Sequence, residues 1–344
     1  MGKSIEKKKS NKKKRNLFMK KDRIIIPVAS GKGGVGKSVF SSNLAIAIAQ
    51  QGHKTVAIDL DLGGSNLHTY LGLSNNHAGI GDYLKAKKTK FKDLLVETDI
   101  PNLSFIPGEG RTPFLANIPF DQRLDVIQNI QQLSAEYIIL DLGAGTTFNT
   151  LNFFGISHQG IIVTTFETPA LMNFFMFLKN FLFRIISSIV RHDRQIFKMV
   201  VDSFRHNGID DQLTVKALLE MIHDKNPELA ARAKKALGYY HPRIIFNMGD
   251  HPEDLLMTNK VDRTLRQTLS IEVDYFGYIF YDPDIRQAVR KKEPLLISLP
   301  KRPFTICIQD IARRIVKIWD KDINKSGERL YEATKKRYKQ LKYL

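Results

Sequence analysis

The stretch "RIIIPVASGKGGVGKSVF", residues 23–40, constrains the fold more than any other part of the chain. A short run of apolar, mostly β-branched residues comes first, a loop with four glycines follows, and the loop leads directly into a helical pattern. Near-continuous apolar runs of this kind are typical of buried strands, and glycines let the chain bend tightly where a strand ends. The stretch therefore predicts a strand, a tight loop and a helix, which is the first half of a βαβ unit.

Six further apolar runs follow, at intervals that leave room for helices between most of them. They read "KTVAIDLD", "NLSFIPG", "YIILDLG", "QGIIVTTF", "RIIFNMG" and "DYFGYIFYD". Most of these runs are near-continuous rather than alternating, which is the signature of a parallel sheet covered on both faces. Since parallel neighbours need right-handed crossovers, we expect an α/β fold with a doubly wound, mostly parallel sheet flanked by helices.

The chain of 344 residues, 43% of them apolar, is long enough for a substantial core. We expect the sheet and its helices to occupy residues 23–325. Within them, residues 194–241 are polar and carry runs such as "LTVKALLEMI" and "ELAARAKKAL", which predict a helical insertion. A basic tail over residues 1–22, expected to be disordered, and a basic amphipathic helix over residues 326–344 flank this domain.

Positive charge is concentrated at the two ends of the chain. The formal net charge is +18 at pH 7, and residues 1–23 hold eleven Lys and Arg against two acids. Residues 325–344 hold seven against two. Such ends favour contact with an anionic surface, either membrane headgroups or nucleic acid. The alternative is that these lysines only keep the chain ends in solution.

Other features narrow the class of protein. The single cysteine, Cys307, can form neither an internal disulfide nor a CxxC metal site, which fits a reducing intracellular setting. The longest apolar run, "LMNFFMFLKNFLFRIISSIV", is interrupted by Lys179 and Arg184, and we expect a buried or partner-facing helix rather than a membrane span. The first residues lack the apolar core of a signal peptide, so we expect a cytoplasmic protein.

The glycine-rich loop has the spacing of a phosphate-binding loop. "GKGGVGKS" fits G-x-x-x-x-G-K-[ST] between a strand and a helix, the context in which this pattern is specific. Its backbone N–H groups and the helix N-terminus would surround phosphate oxygens, with Lys37 on the β- and γ-phosphates and Ser38 on Mg²⁺. The predicted nucleotide-binding residues of the loop are Gly31, Lys32, Gly33, Gly34, Val35, Gly36, Lys37 and Ser38.

Lys32 has no role in that scheme. With it, the loop resembles the deviant Walker A motif K-G-G-x-G-K-[ST] of the MinD/ParA family of P-loop ATPases, and the match is complete. The resemblance implies that Lys32 reaches across a dimer interface to the partner's nucleotide, so that binding of ATP and formation of a homodimer are one event. The alternative is an ordinary solvated loop lysine.

The resemblance to this family extends from Arg23 to about Ile323. "AIDLDLGGSNLHTYLGL" resembles its switch I, which implies that Asp61 positions the attacking water and that Asp59 lies near Mg²⁺. "YIILDLGAG" resembles the Walker B and switch II region, which implies that Asp141 binds the magnesium shell. The family thus implies Lys32, Lys37 and Asp61 as catalytic residues, and Ser38, Asp59 and Asp141 as the metal site.

The adenine pocket is implied by two later segments. "RIIFNMGD" places Asn247 where the family uses an asparagine to hydrogen-bond adenine, although Asn after a strand is also a common turn former. "GYIFYDPDIRQAV" resembles the segment that usually reads I-P-x-D and lines the base, with Tyr281 and Asp282 in place of the usual order.

Among the branches of the family, "IPGEGRTPFLANIPFDQRLDVI" and "DLGAG" look most like MinD and FlhG. Iron–sulfur branches need cysteines that this chain lacks, and the related tyrosine kinases have Arg where Gly63 stands. The chain also lacks the N-terminal D-Q-A-type motif of FlhG proteins, and Asn173 stands where MinD would present an acidic contact to MinC.

The C-terminal segment "ERLYEATKKRYKQLKYL" has one apolar helical face and lysines on its flanks. The apolar face holds Leu330, Thr334, Tyr338, Leu341 and Leu344, and the flanks hold Lys335, Lys336, Lys339 and Lys342. It resembles the membrane-targeting helix of MinD, which would bind firmly only in a dimer. The alternative is that this face packs on its own domain.

We therefore expect an ATP- and Mg²⁺-dependent dimerising switch of the MinD/FlhG type, with reversible association at the inner face of the cell membrane. A ParA-like ATPase that binds DNA non-specifically is the competing hypothesis. A protein partner is also expected, and its surface would lie on the insertion or on the phenylalanine-rich helix of residues 173–183.

Overall fold

The computed structural model describes residues 23–85, 90–108, 118–206 and 214–341. Eight strands form one sheet in the order β3-β4-β2-β5-β1-β6-β7-β8, and every neighbouring pair is parallel except β3 with β4. The strands are β1 (Ile24–Ala29), β2 (Thr55–Leu60), β3 (Val96–Glu97), β4 (Leu103–Ile106), β5 (Tyr137–Leu142), β6 (Ile161–Thr164), β7 (Arg243–Gly249) and β8 (Asp274–Phe280). This confirms the predicted fold class.

Helices flank the sheet and connect its parallel strands. They are α1 (Lys37–Ala49), α2 (Leu67–Tyr70), α3 (Ile80–Lys85), α4 (Phe120–Gln132), α5 (Phe148–Phe154), α6 (Thr168–Val190), α7 (Arg194–His206), α8 (Val215–Lys225), α9 (Pro227–Leu237), α10 (Thr258–Thr264), α11 (Ile285–Arg290), α12 (Leu295–Ser298), α13 (Pro303–Ile318) and α14 (Ser326–Leu341). Short 3₁₀ turns at Phe91–Leu94 and Pro252–Met257 and a π turn at Leu265–Leu269 complete the described elements.

Burial of the central strands on both faces explains why their sequences are almost entirely apolar. All six residues of β2 and all six of β5 are buried, and the two strands pair in parallel from Thr55 with Tyr137 to Leu60 with Leu142. A strand with helices on both faces has no solvent side, so apolar residues fill both of its faces. All seven strands that the apolar runs predict are present. The two-residue β3 was not predicted, because it is too short for any pattern.

The region from 194 to 241 contains α7, α8 and α9 in its described part, with residues 207–213 outside it. Thr214 and Asn226 cap the last two helices, since their side chains accept hydrogen bonds from the N–H groups of Ala217 and Leu229. These helices pack on α6.

Helix α6 is the predicted phenylalanine-rich helix. By length and composition alone it could cross a membrane, but it is also partly buried in the domain. Phe177 and Phe181 lie in its buried face, and both rings meet the edge or face of Phe154 at centroid distances of 5.1 and 5.0 Å. Met172 and Met176 lie on its exposed side. One face of α6 is therefore core, and the other is open to solvent.

Helix α14 (Ser326–Leu341) occupies the described part of the C-terminal segment, and its apolar face packs against the protein. Leu330 and Thr334 are only 4% and 5% exposed, and α14 packs along β8, the edge strand of the sheet. Tyr338 stacks on Phe280 and hydrogen-bonds to Nδ1 of His251 at 3.0 Å. Of the two alternatives for this face, membrane contact and packing on the domain, the structure shows packing, by which α14 covers the edge strand β8 and its aromatic side chains. Leu344 and Lys342, like the tail over residues 1–22, lie outside the described residues.

Candidate active site

The glycine-rich loop joins β1 to α1 at the carboxyl edge of the sheet, where ligands of open α/β sheets bind. Gly34 and Gly36 both have φ of +83°, in the left-handed region. A Cβ on Gly36 would lie 2.3 Å from Nδ2 of Asn247, and a Cβ on Gly31 would lie 2.1 Å from the carbonyl oxygen of Asn173 in α6. The loop is thus wedged between β7 and α6, and only glycine fits at these contacts.

Lys37, the first residue of α1, is 6% exposed and forms an ion pair with Asp141 at the end of β5. Its Nζ lies 2.9 Å from Oδ1 of Asp141 and 3.2 Å from Oγ of Ser38. Ser41, one turn further along α1, donates a hydrogen bond of 2.8 Å to the same Oδ1. Three predicted site residues, Lys37, Ser38 and Asp141, therefore meet at one point.

Asp59 lies beside Asp141, because the register of β2 and β5 pairs the two residues directly. It is fully buried and accepts hydrogen bonds from Oγ of Ser65 (2.6 Å) and from the N–H groups of Asp61 and Leu67 (3.0 Å each). Burial, together with the charge of Asp141, raises the pKa of Asp59 to about 7. Asp59 thus fixes the loop that follows β2.

Asp61 lies at the start of that loop and is half-buried. Its Oδ1 is 3.4 Å from the position that a Cβ on Gly143 would occupy, so its carboxylate faces the loop after β5. Gly145, in that second loop, has φ of +81° and donates a backbone hydrogen bond of 2.9 Å to Ser30. The loop after β5 therefore borders the start of the glycine-rich loop at Ser30, and the loop after β2 borders the loop after β5.

Lys32 is placed differently from Lys37. It is exposed at the outer part of the loop. The neighbouring Gly33 is also in open space, because a Cβ added to Gly33 would meet no atom within 4 Å. No ion pair joins Lys32 to another residue of the described ranges. The structure does not bring Lys32 into the cluster around Asp141.

Asn247 lies on the other side of the loop, 3% exposed, and its Nδ2 donates to the carbonyl oxygen of Val35 at 2.8 Å. Beside it lies a cavity of about 190 Å³, lined mainly by apolar side chains that include Met248 and Phe304. Asp282 is buried at its wall, where Arg302 donates two hydrogen bonds to the carboxylate (3.2 and 2.8 Å). Tyr281 is exposed at the wall of the cavity. The carboxylate of Asp282 therefore anchors the chain, while the cavity has the size and polarity for a flat base.

Three residues of this site escaped the sequence analysis: Ser41, Ser65 and Arg302. Ser41 had a signal, because it follows Lys37 by four residues and so lies on the same face of α1. The partners of Ser65 and Arg302, in contrast, depend on how loops return to the sheet, and no local pattern predicts them.

The donor set fits Mg²⁺ better than a transition metal. The described residues contain no group of three or more His, Cys, Asp or Glu side chains that could hold a metal ion alone. Mg²⁺ typically takes one or two carboxylates, a hydroxyl and the phosphates of its substrate. Ser38 and Asp141 can supply the hydroxyl and the carboxylate.

Comparisons with known proteins agree with this geometry. The sequence profile of the CobQ/CobB/MinD/ParA nucleotide binding domain matches residues 26–295. The flagellum site-determining protein YlxH of Helicobacter pylori is 34% identical over 156 residues, and the match covers 45% of this chain and 52% of that protein. The septum site-determining protein MinD of Synechocystis is 30% identical over 203 residues, covering 58% and 72%. Several matches thus span only about half of the relative.

A solved structure shows the same fold. The septum site-determining protein MinD of Pyrococcus horikoshii, complexed with Mg-ADP, superimposes with a TM-score of 0.55 at 18% identity, over 87% of this chain and 98% of that one. The family match covers the glycine-rich loop, both switch-like loops and Asn247. The chain therefore belongs to the MinD/ParA family of nucleotide-binding P-loop ATPases.

Proposed function

We propose that this protein is a Mg²⁺-dependent ATPase that dimerises on binding ATP and uses its nucleotide state to place itself, and a partner, at a cellular location. The main support for the proposal is that the two lysines of the loop lie in different environments. Lys37 is buried on Asp141, whereas Lys32 is exposed and unpaired within the described residues. A lysine that faces outward beside a phosphate site can neutralise phosphate charge from a second subunit.

The roles of the residues follow from their contacts. We propose that Lys37 exchanges its ion pair with Asp141 for the β- and γ-phosphates, which frees the carboxylate of Asp141 to join Ser38 in holding Mg²⁺. Bound Mg²⁺ neutralises phosphate charge. Asp61, next to Gly143, orients the attacking water. Asp59 belongs to the metal shell and also holds the loop in place through Ser65 and Leu67.

The base would be held by the cavity beside Asn247. Because Nδ2 of Asn247 already donates to Val35, its carbonyl oxygen is the atom that can accept from a base. A 6-amino purine offers a donor there and a 6-oxo purine does not, so we propose adenine rather than guanine as the preferred base.

The target is proposed to be an anionic surface. Reversible recruitment to the inner face of the cell membrane is the first candidate, since the matched relatives carry names that describe septum and flagellum site determination. Non-specific DNA is the second candidate, and one observation favours it: α14 buries its apolar face and exposes Lys335, Lys336 and Lys339. Exposed charge alone suits a polyanion as well as a bilayer. A protein partner could bind the exposed side of α6, around Met172 and Met176.

Light scattering after size exclusion, with ATP or ADP, tests the dimer. We expect the wild-type protein to dimerise in ATP, and Lys32→Ala to bind a fluorescent ATP analogue but remain monomeric and hydrolyse ATP slowly. Lys54→Ala, at an exposed lysine on the opposite edge of the sheet, is the matched control and should behave as wild type. A Lys32→Ala variant that is fully dimeric in ATP would refute the division of roles between the two lysines.

A second variant tests the catalytic carboxylate. Asp61→Ala should retain ATP and persist as the dimer, because water is no longer oriented for in-line attack. Unchanged turnover in this variant, measured as phosphate release, would show that another residue positions the water.

A further inference from the structure

An acidic cavity lies at the amino edge of the sheet, opposite the nucleotide site. It encloses about 560 Å³ next to the start of β8 and the segment that leads into α14. Its lining holds five carboxylates against two cations and one histidine. The carboxylates are those of Asp262, Glu272, Asp274, Asp322 and Glu328, and the other charged or titratable side chains are those of Arg266, Lys325 and His241. This is a local excess of negative charge in a protein whose formal net charge is +18.

Buried groups in this cavity lack hydrogen bonds. Asp274 is 3% exposed, and its Oδ2 has no hydrogen-bond partner among the described residues. The same holds for Nε2 of His241, which lies 3.3 Å from Oδ1 of Asp274. A buried carboxylate oxygen without a donor is costly, so the cavity wall can accept a hydrogen bond that the described chain does not supply.

Arg243 balances part of the charge of Asp274 but does not supply this hydrogen bond, and its own Nε and Nη1 also lack partners among the described residues. Arg243 is fully buried behind Asp274, but its Nε is 3.7 Å from Oδ2, too far for a hydrogen bond. Its guanidinium is held instead between the rings of Phe276 and Trp319, at 4.5 and 4.3 Å, and it donates to the carbonyl oxygen of Lys321. The other two cations of the lining, Arg266 and Lys325, form exposed pairs of little strength with Glu272 and Glu328. A ligand with ammonium or guanidinium groups therefore fits the cavity.

We propose that the occupant is the basic N-terminal segment of this chain, residues 1–22. That segment holds ten Lys and Arg against two acids. It joins the sheet at Ile24, the first residue of β1, and β1, β6, β7 and β8 are consecutive parallel strands. All four strands therefore begin on the amino side of the sheet. The first residues of β6, β7 and β8 are level with Val28 of β1, and Asp274 is the first residue of β8.

The reach of the segment is sufficient. With neighbouring strands roughly 4.8 Å apart, the start of β8 lies about 14 Å across the sheet from β1, and the register places it level with Val28, four residues or about 13 Å along β1 from Ile24, so the two starts are roughly 19 Å apart. The thirteen Cα–Cα steps from Ser10 to Arg23 can span up to roughly 40 Å when the chain is extended. Because the segment is tethered at this edge, its local concentration at the cavity is high even if each ion pair is weak.

Docking there would have a consequence for the proposed target. An anionic surface and the acidic cavity would compete for the same lysines, so the segment would be released only where negative charge is dense. The cavity and the tether exist independently of the ATPase cycle, and the inference does not rest on the proposed function.

Disulfide trapping in the full-length chain tests the contact. Cysteines are introduced at Ser10 and at Asn324, an exposed residue of the cavity lining, and the rate of disulfide formation is followed on non-reducing gels. The native Cys307 does not interfere, since it is 4% exposed and burial raises its pKa to about 12. The matched control pairs Ser10→Cys with Gln51→Cys, an exposed position just before β2, which lies two strands from β1 on the other side.

We expect the Ser10–Asn324 pair to form at least five times faster than the Ser10–Gln51 pair in low salt. Adding Glu272→Lys and Asp322→Lys, both at exposed positions, should reduce the faster rate to that of the control, and 0.5 M NaCl should do the same. Thermal melting followed by circular dichroism establishes that the variants remain folded. Equal rates for the two pairs, or a fast rate that the charge reversals leave unchanged, would overturn the proposal.

Discussion

At the scale of single residues, the glycines of the phosphate-binding loop differ sharply in what they tolerate. We expect Gly31→Ala to abolish binding of ATP, because the new Cβ would lie 2.1 Å from the backbone carbonyl oxygen of Asn173, which cannot move without α6. Gly33→Ala is the control, since a Cβ there meets nothing within 4 Å and φ is not in the left-handed region. Titration with a fluorescent ATP analogue compares the two. Equal affinity for both variants would contradict the close packing of the loop on α6.

The environment of His241 predicts how the stability of the folded protein depends on pH. The Asp274 carboxylate, 3.3 Å from Nε2, raises the pKa of His241 against the opposing effect of burial, and Asp322 and Glu272 raise it further. Arg243 faces the same carboxylate from behind, and Arg266 and Lys325 lie in the same cavity. A pKa that is higher in the folded state stabilises the protein fully below pH 6.5, and this stabilisation is lost as pH rises through the folded pKa.

His241→Gln should therefore lower the free energy of unfolding more at pH 6 than at pH 9. Urea unfolding at the two pH values measures the difference. His77→Gln is the control, at a histidine for which the described residues show no ion pair. A loss at His241 that is the same at both pH values would show that the ion pair with Asp274 contributes nothing.

The sequence could predict site residues only where the local pattern itself determines the structure. The glycine spacing identified the loop, and the position of Asp59 and Asp141 at strand ends predicted that they would meet at one edge, which they do. It could not show that Asp59 is enclosed by Ser65 and Leu67, or that a cation as large as Arg243 is buried between two rings. Those contacts join residues distant in sequence, and each depends on the whole fold.

At the scale of helices and strands, the packing of α14 on β8 should contribute to the free energy of unfolding of the domain. We expect Leu330→Ala to reduce the free energy of unfolding by about 2–4 kcal/mol, the usual cost of removing a buried leucine side chain. Lys336→Ala, on the exposed side of the same helix, should change it by less than about 0.5 kcal/mol. Denaturant titration of both variants decides the point. If Leu330→Ala were as stable as the wild type, α14 would not be part of the folded domain in solution.

The same helix shows why part of the fold could not be predicted. Periodicity correctly indicated an amphipathic helix and which of its residues share a face. It does not state what that face meets, because a membrane interior and an edge strand such as β8 both accept apolar side chains. The strands were easier, since a buried parallel strand has apolar residues on both faces and leaves little choice of environment.

Across the protein as a whole, the acidic cavity, the nucleotide site and the exposed lysines of α14 lie in three separate places. The acidic cavity lies at the amino edge, the nucleotide site at the carboxyl edge, and α14 presents Lys335, Lys336 and Lys339 to solvent next to β8. Deleting α14 to test recruitment would uncover Tyr275 and Phe280 of β8 and destabilise the domain. The test has to change its exposed charges instead.

Substitution of these three lysines tests whether they contact an anionic surface. In flotation with anionic liposomes and ATP, we expect the full-length protein to rise with the lipid. The triple variant Lys335→Gln, Lys336→Gln, Lys339→Gln should bind more weakly, by several-fold for each charge removed. The reason is that a lysine near an anionic leaflet contributes about 1 kcal/mol. ATP-dependent dimerisation should be unchanged, because none of the three contacts the loop. Zwitterionic liposomes should recruit neither protein, since the apolar face of α14 is buried.

Two outcomes would contradict this expectation. If duplex DNA in the same tube retains the protein in ATP and lipid does not, the membrane proposal is wrong and the DNA candidate holds. If the triple variant floats as well as the wild type, these lysines are not the contact.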